Sequence, residues 1–506
     1  MLPARLISLS RKLLESGLQK VWCPDRFLRP RPLRAASDSQ ILDVEWDLSE
    51  ILRATRTIKN ACVPINKLPP EILSSVLEHR SSDLDLVVAT HVCQYWRSTL
   101  TSSPSLWTRF QFTSSHVDRA LTYLERSKSA PIDANLNFLQ DREAFKYLVP
   151  HITRTRSLTI WGPHHNDIQA ACFLLRTPSP TLQYLKVDTS EGLAHLPDDF
   201  LGRQAPSLRS ITFNNIRPAL ESPLPLPSLI KFELFLSEGT GPFRMGALFR
   251  FLSECPQLRK ICINSREMAQ DDTPDQVILL ESLVKLDYTC STVDRILPCL
   301  KLPRLERLRV SSSFGPGQKL VDLLPHGGHT LLAGATEIKY HSSKLSQWIQ
   351  LFGKGTDVSF TMVHPTADHT PAAWFPNDRS IPFGQIENLT VGISVAVDFP
   401  INVAVFENLR VLRTFPWSTR FAERLFRSLY DPGVVIPCRF LREIQYPSWG
   451  PPGPLMSLVK ERKRAGHGLG LVCLLANRKY GPDRDFVEEL REHAREVRVE
   501  EWDGMM

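Results

Sequence analysis

The chain has 506 residues, 42% hydrophobic and 23% charged, and carries a formal net charge of +7. Those fractions belong to a soluble globular protein of two to four domains or one long repeat array. The charge is lopsided: Arg5, Arg11, Lys12, Lys20, Arg26, Arg29, Arg31 and Arg34 face only Glu15 and Asp25, which leaves 53 basic and 52 acidic residues elsewhere. A body that neutral excludes a general nucleic-acid binder, whose affinity rests on phosphate neutralisation.

Taken in order, residues 1–40 read as a basic arm and linker. Leu2, Leu6, Leu9, Leu13, Leu14 and Leu18 fall near helical spacing with arginines between them. That pattern fits a mitochondrial presequence or an accessory arm, with Glu15 against the first. Arg29-Pro-Arg-Pro-Leu-Arg34 follows as linker. Over 41–60 the apolar positions Ile41, Val44, Leu48, Ile51 and Leu52 predict one short connecting helix.

Residues 61–110 predict three short helices with one apolar stripe each. Pro69 and Pro70 stand where the first begins, since the first helical amides need no partner, and Glu71 suits the helix dipole. Leu68, Ile72, Leu73, Val76 and Leu77 share its face. Leu86, Ala89, Cys93, Trp96 and Leu100 recur at steps of three and four, and Ser103-Pro104 precedes Leu106 and Trp107. A unit of about 45 residues buries little surface by itself and calls for a partner.

The order LPPEIL, VCQYWR, SPSLW resembles the F-box, the module that docks substrate receptors onto the Skp-type adaptor of cullin–RING ubiquitin ligases. Asp83 and Asp85, beside Leu84 and Leu86, depart from the pattern where the second helix opens. The resemblance, with the apolar stripes, places the adaptor contact at Leu68, Pro69, Ile72, Leu73, Val76, Val92, Cys93, Trp96 and Trp107. It implies an SCF-type ligase subunit of cytosol or nucleus with no catalytic residue of its own. The alternative is a repeat scaffold or interaction protein without a ligase role, or an enzyme in which these helices only pack.

Over 111–506 a phrase close to Pro-x-Leu-x-x-Leu-x-Val recurs. Its anchors Leu182, Leu208, Leu229, Leu258, Leu283 and Leu305 are 26, 21, 29, 25 and 22 residues apart, mostly within the roughly 20–29 of leucine-rich repeats. Weaker copies lie at 156–160, 335–340, 385–391, 408–414 and 440–446. Helical patterns precede several: Phe249, Leu252 and Cys255; Val293, Ile296, Leu297 and Leu300; Phe421, Leu425, Phe426 and Leu429. A strand plus a helix cannot bury its own apolar face, so units must stack. The expected fold is α/β: a short three-helix F-box followed by a curved leucine-rich-repeat-like solenoid with a parallel inner sheet. The pattern from Asp485 to Val497 predicts a closing helical cap. An F-box ahead of such repeats resembles the receptors whose solenoid selects the ubiquitylation substrate.

Little in the long part demands chemistry. Gly162-Pro-His-His-Asn-Asp167 reads as a surface loop, because adjacent histidines on a strand point to opposite faces and no HExxH spacing occurs. Gly315–Lys319 lacks the length of a phosphate loop, and Gly466–Gly470 the spacing of a dinucleotide fingerprint. Ten cysteines without a CxxC pair suggest reduced thiols rather than a zinc or redox site, with Cys255 and Cys262 as core sulfur. The apolar run Leu469–Ala476 is too short to cross a bilayer. No cofactor, metal, nucleic acid or membrane is expected.

Strand periodicity turns positions one, four and six of the phrase inward and three and five outward. Outward lie Lys231, Lys260, Lys285, Arg307, Arg309 and Lys339, with Lys186 and Arg413, against few acids, chiefly Glu233, Asp287, Glu337 and Glu443. Such a stripe favours an acidic or phosphorylated segment of a protein substrate, or it simply solvates an exposed sheet and pairs with neighbouring Glu and Asp.

Overall fold

A computed structural model describes residues 38–78, 83–112, 117–137, 144–218, 226–237, 244–265, 276–290, 296–313, 324–327, 329–342, 346–353, 356–363, 381–393, 403–416, 419–430, 437–476 and 481–501. The basic arm through residue 37 and the segment 315–319 lie outside them. Two compact units result: Met1–Phe110 with Asp118–Ile132, and Gln111–Val117 with Asp133–Met506.

The first unit opens with a helix over Asp38–Ala61, 24 residues where a short connector was expected. No proline or glycine interrupts that stretch, and Pro64 follows just beyond its end, where a proline disfavours further helix. Leu42, Trp46, Leu48, Leu52 and Ile58 are exposed on it. A 3-10 turn at Pro64–Lys67 leads to helices Pro70–Glu78, Asp83–Ala89 and Gln94–Ser102, then a second 3-10 turn at Pro104–Trp107. Leu73, Leu77, Ala89, Leu100, Leu106 and Trp107 make the core. The Trp107 indole donates to the Leu100 carbonyl at 2.7 Å. Its ring meets Tyr123 edge-on at 4.8 Å, and the Arg126 guanidinium lies over it at 4.4 Å, arrangements that add to the burial of the ring itself.

In the second unit successive phrases become successive strands of one large, mostly parallel sheet. Thr155–His164 pairs with Tyr184–Glu191, then Ser210–Asn214, Lys231–Leu236, Lys260–Ser265, Lys285–Cys290 and Arg307–Ser313, all parallel. The anchor leucines from Leu182 to Leu305 are buried. The amide after each anchor bonds to the carbonyl of the equivalent residue one unit earlier: Arg209 to Gln183 at 2.8 Å, Ile230 to Arg209 at 2.8 Å, Arg259 to Ile230, Val284 to Arg259 and Glu306 to Val284 each at 2.9 Å.

Registration puts like residues side by side. One row runs Leu158, Leu185, Ile211, Phe232, Ile261, Leu286, Leu308, Val358, and a second Ile160, Val187, Phe213, Leu234, Ile263, Tyr288, Val310, Phe360. All of them are buried. At about 1.5–3 kcal/mol per buried large side chain, these rows dominate the stability of the unit.

Three expectations fail here. The sheet is not parallel throughout: Arg307–Ser313 pairs with Thr356–Val363, which runs antiparallel to Ser346–Gly353, itself antiparallel to Ala335–Ser342. Parallel order resumes from Ala335–Ser342 through Asn388–Ile393, Val411–Pro416, Glu443–Pro447, Leu471–Ala476 and Glu496–Glu501. The short connections at 343–345 and 354–355 suit antiparallel neighbours, as parallel ones need a long crossover. Second, Ile296, Leu297 and Leu300 form only a 3-10 turn, Leu297–Cys299, and a two-residue strand. Pro298 removes an amide there; Val293 lies outside the described residues. Third, the closing helix is Arg484–His493, capped by the Asp483 side chain, and Val497 belongs to the strand after it.

Candidate functional site

The first helix of the bundle starts with Pro70, and the Pro69 carbonyl accepts its first internal bond, from the Leu73 amide at 3.0 Å. Side chains of the third helix then tie down the lead-in. The Tyr95 hydroxyl donates to the Leu68 carbonyl and the Trp96 indole to Asn66 Oδ1, each at 2.6 Å. The Arg97 guanidinium bonds the Thr90 carbonyl at 2.9 Å, and the Ser74 and Ser103 hydroxyls meet at 2.9 Å. So braced, the bundle leaves branched aliphatics outside. Ile72 is 49% exposed, Val76 47% and Val92 55%; Val63, Ile65 and Val88 join them. Pro69 is exposed as well, while Leu68, Cys93 and Trp96 are half-buried. Leu73 and Trp107 are at 0%. They hold the bundle from within, whereas the other seven of the nine are exposed or half-buried.

On the second unit the outward rows are not a free cationic stripe. Lys231, Lys260, Lys285 and Arg307 do stand in one row across four neighbouring strands. But Glu233 takes the Lys231 and Lys260 ammoniums at 2.8 and 3.0 Å and the Thr212 hydroxyl at 3.1 Å. Burial opposes its ionised form, and these hydrogen bonds outweigh burial, holding the carboxyl below its ordinary value. Arg307 bonds Asp357 at 2.5 Å, Arg309 stands 3.9 Å from Asp287, and Lys339 3.7 Å from Glu337. Of the six cations, Lys285 has no ion pair among the described residues. The acids that cancel the stripe sit two residues along the same strands or on the next strand, so a count per phrase understates them.

The Gly162–Asp167 segment is no loop. It ends the strand Thr155–His164 and begins the helix His165–Leu174, with His164 paired to Glu191 at 3.1 Å. No group of three or more His, Cys, Asp or Glu among the described residues could hold a metal ion. Cys262, expected in the core, instead lies outward and half-buried between Glu233 and Asp287, and burial, then those two carboxylates, push its thiol up. Burial also pushes Cys172 and Cys255 up to about 12. Thiols raised this way are poor nucleophiles. No described helix is long and apolar enough to cross a membrane.

Compared with known families, residues 65–113 match the one described as F-box-like. This segment is an F-box-like domain. The match points to a protein-interaction role and to a Skp-type adaptor as the kind of partner such domains bind. No curated protein matches the chain. Within the F-box-like domain the residue types were legible, but their division between inside and outside was not. Ile72 and Leu73 are neighbours on an amphipathic helix, and only packing decides which one is buried. Val63, Ile65 and Val88 went unnoticed because they flank the apolar stripes.

Proposed function

We propose that the chain is the substrate-recognition subunit of an SCF-type ubiquitin ligase. Its F-box-like domain docks a Skp-type adaptor through Pro69, Ile72, Val76 and Val92, with Leu68, Cys93 and Trp96 at the margin. The strand-bearing unit, read as a solenoid of degenerate leucine-rich-type repeats, holds the protein to be modified. The buried rows and the anchor-to-anchor backbone ladder support that reading of the repeats. One observation carries the proposal: aliphatics that the bundle leaves exposed lie within a segment matching an F-box-like domain. Covering such a side chain contributes about 1.5–3 kcal/mol, so a few suffice for stable docking. The chain supplies no catalytic group; it acts by proximity, bringing substrate to a conjugating enzyme in cytosol or nucleus.

Capture of a purified Skp-type adaptor tests this. Ile72→Glu with Val76→Glu should abolish capture, and Leu68→Ala with Pro69→Ala should weaken it strongly, with Tm unchanged in both. Undiminished capture by the double glutamate variant would show that these helices have another role.

A further inference from the structure

Beyond positions three and five of each phrase, the outward side of the sheet carries a further row at position seven. Across four strands it reads Asp188, Asn214, Phe235, Asn264, paired in register. A cavity of about 640 Å³ opens on it. Its rim is fixed from below by Asn215, which takes a left-handed backbone, φ +54°. Asn215 donates its amide to the Thr189 carbonyl at 2.9 Å and accepts the Ser237 amide at 2.8 Å, stitching three successive turns. Asn214 Nδ2 donates to Asp188 Oδ2 at 2.9 Å. Asp188 Oδ1 and the Asn264 side chain have no hydrogen bond among the described residues. Lys186, about half exposed, pairs with Asp188 Oδ2 at 3.5 Å and leaves Oδ1 open.

The cavity thus offers one carboxylate oxygen, the amides of Asn214 and Asn264 and one aromatic ring, in a fixed order, with Ser190 and Ser237 also lining it. Strands lie roughly 4.8 Å apart, so Asp188 and Phe235 are about 10 Å from each other across the sheet and Asn264 is one strand further. An arginine laid across the strands suits that order. Its main chain meets the Asn264 amide, its methylene stem covers Phe235, and its planar guanidinium reaches Asp188 Oδ1 and the Asn214 carbonyl. A guanidinium has five fixed N–H donors and no acceptor, which suits Asp188 Oδ1 and the amide carbonyls. A carboxylate or phosphate would face the like-charged Asp188 instead.

We propose that this cavity receives an arginine side chain of the bound protein. The inference rests on the receptor reading for its biological sense, but its test does not pass through the adaptor. The probe is fluorescein-Gly-Gly-Arg-Gly-Gly-amide, labelled at its N-terminus, titrated with the full chain and followed by polarisation. The same peptide with citrulline in place of arginine keeps the shape and loses the charge. The arginine peptide should bind about tenfold tighter than the citrulline one, the size of one charge-assisted pair. Asp188→Asn should erase that tenfold difference without moving Tm, and Phe235→Ala should weaken both peptides. Equal binding of the two peptides, an unchanged preference in Asp188→Asn, or no saturation at millimolar chain would each overturn the inference. Adaptor capture on the same preparation separates the two readings. Capture without arginine preference removes only the cavity's role, and preference without capture removes only the ligase role.

Discussion

The F-box-like domain and the strand-bearing unit treat apolar side chains in opposite ways. In the strand unit every interior row has a neighbour on each side, so Leu286 or Phe232 is covered by strands before and after it. In the F-box-like domain three short helices enclose Leu73, Leu100 and Trp107 and leave Ile72, Val76 and Val92 in water. A small bundle has too much surface for its volume to bury all its aliphatics. A stacked array escapes that limit because each added unit covers the last. The free energy left uncollected on the helices is available to a partner; on the strands it is already spent on folding.

Substitutions can break that contrast, and the largest effects belong to the strand rows. Phe232→Ala should lower the unfolding free energy by about 3–5 kcal/mol, read from the denaturant midpoint of the second unit. Next comes Arg462, 0% exposed on the helix Pro452–Arg464. Its guanidinium donates to the carbonyls of Leu429 at 3.1 Å, Pro437 at 3.3 Å and Cys438 at 3.1 Å. Burial pulls its pKa down, yet three carbonyls depend on it. Arg462→Met should cost about 3 kcal/mol, and Arg462→Lys should not restore it, since one ammonium cannot reproduce the fork.

A smaller effect is expected at Glu233, about 1 kcal/mol for Glu233→Gln, because Lys231 and Lys260 are more than a third exposed and screened by solvent. Its pH dependence has a definite sign. The folded pKa lies below the ordinary value, so the unfolded chain binds the proton more readily. The stabilisation is therefore complete above the ordinary carboxylate value and fades as pH falls through the lowered folded one. Melting curves of wild type and Glu233→Gln should converge in that acid range. The smallest effect is at the F-box-like face: Ile72→Ala should shift stability by no more than ~0.5 kcal/mol while adaptor capture drops. A stability loss as large as that of Phe232→Ala would erase the contrast.

Much of this architecture could be read from the sequence. The recurring Leu-x-x-Leu-x-Val phrases became strands because their period of two and their β-branched content have one solution when units stack. The hairpin strands Ser346–Gly353 and Thr356–Val363 could not be found that way. Neither carries the phrase, and nothing local says that Arg307–Ser313 will pair with a strand 50 residues ahead. The candidate site was legible only in part. Extending the period of two to position seven would have exposed Asp188, Asn214, Phe235 and Asn264, but a charge-based search passes over amides. Of the two readings of the basic stripe, the ion pairs agree with the second; that Glu233 serves two lysines at once is something no count of residues shows.

The reversed strand order around Ala335–Val363 has a bearing on folding speed. Elsewhere each strand joins the one laid down just before it, so structure can spread along the chain by short loop closures, which are fast. At Arg307–Ser313 that spreading halts, because the next partner, Thr356–Val363, lies beyond two further strands. Three strands must assemble together before either side gains a neighbour, and the longer closure costs entropy before any contact rewards it. We expect this crossing to set the slowest refolding step. Pulse-labelled hydrogen exchange would then find the amides of Thr155–Ser313 protected as one early block, with those of Ala335–Val363 lagging. Simultaneous protection of both would place the barrier elsewhere.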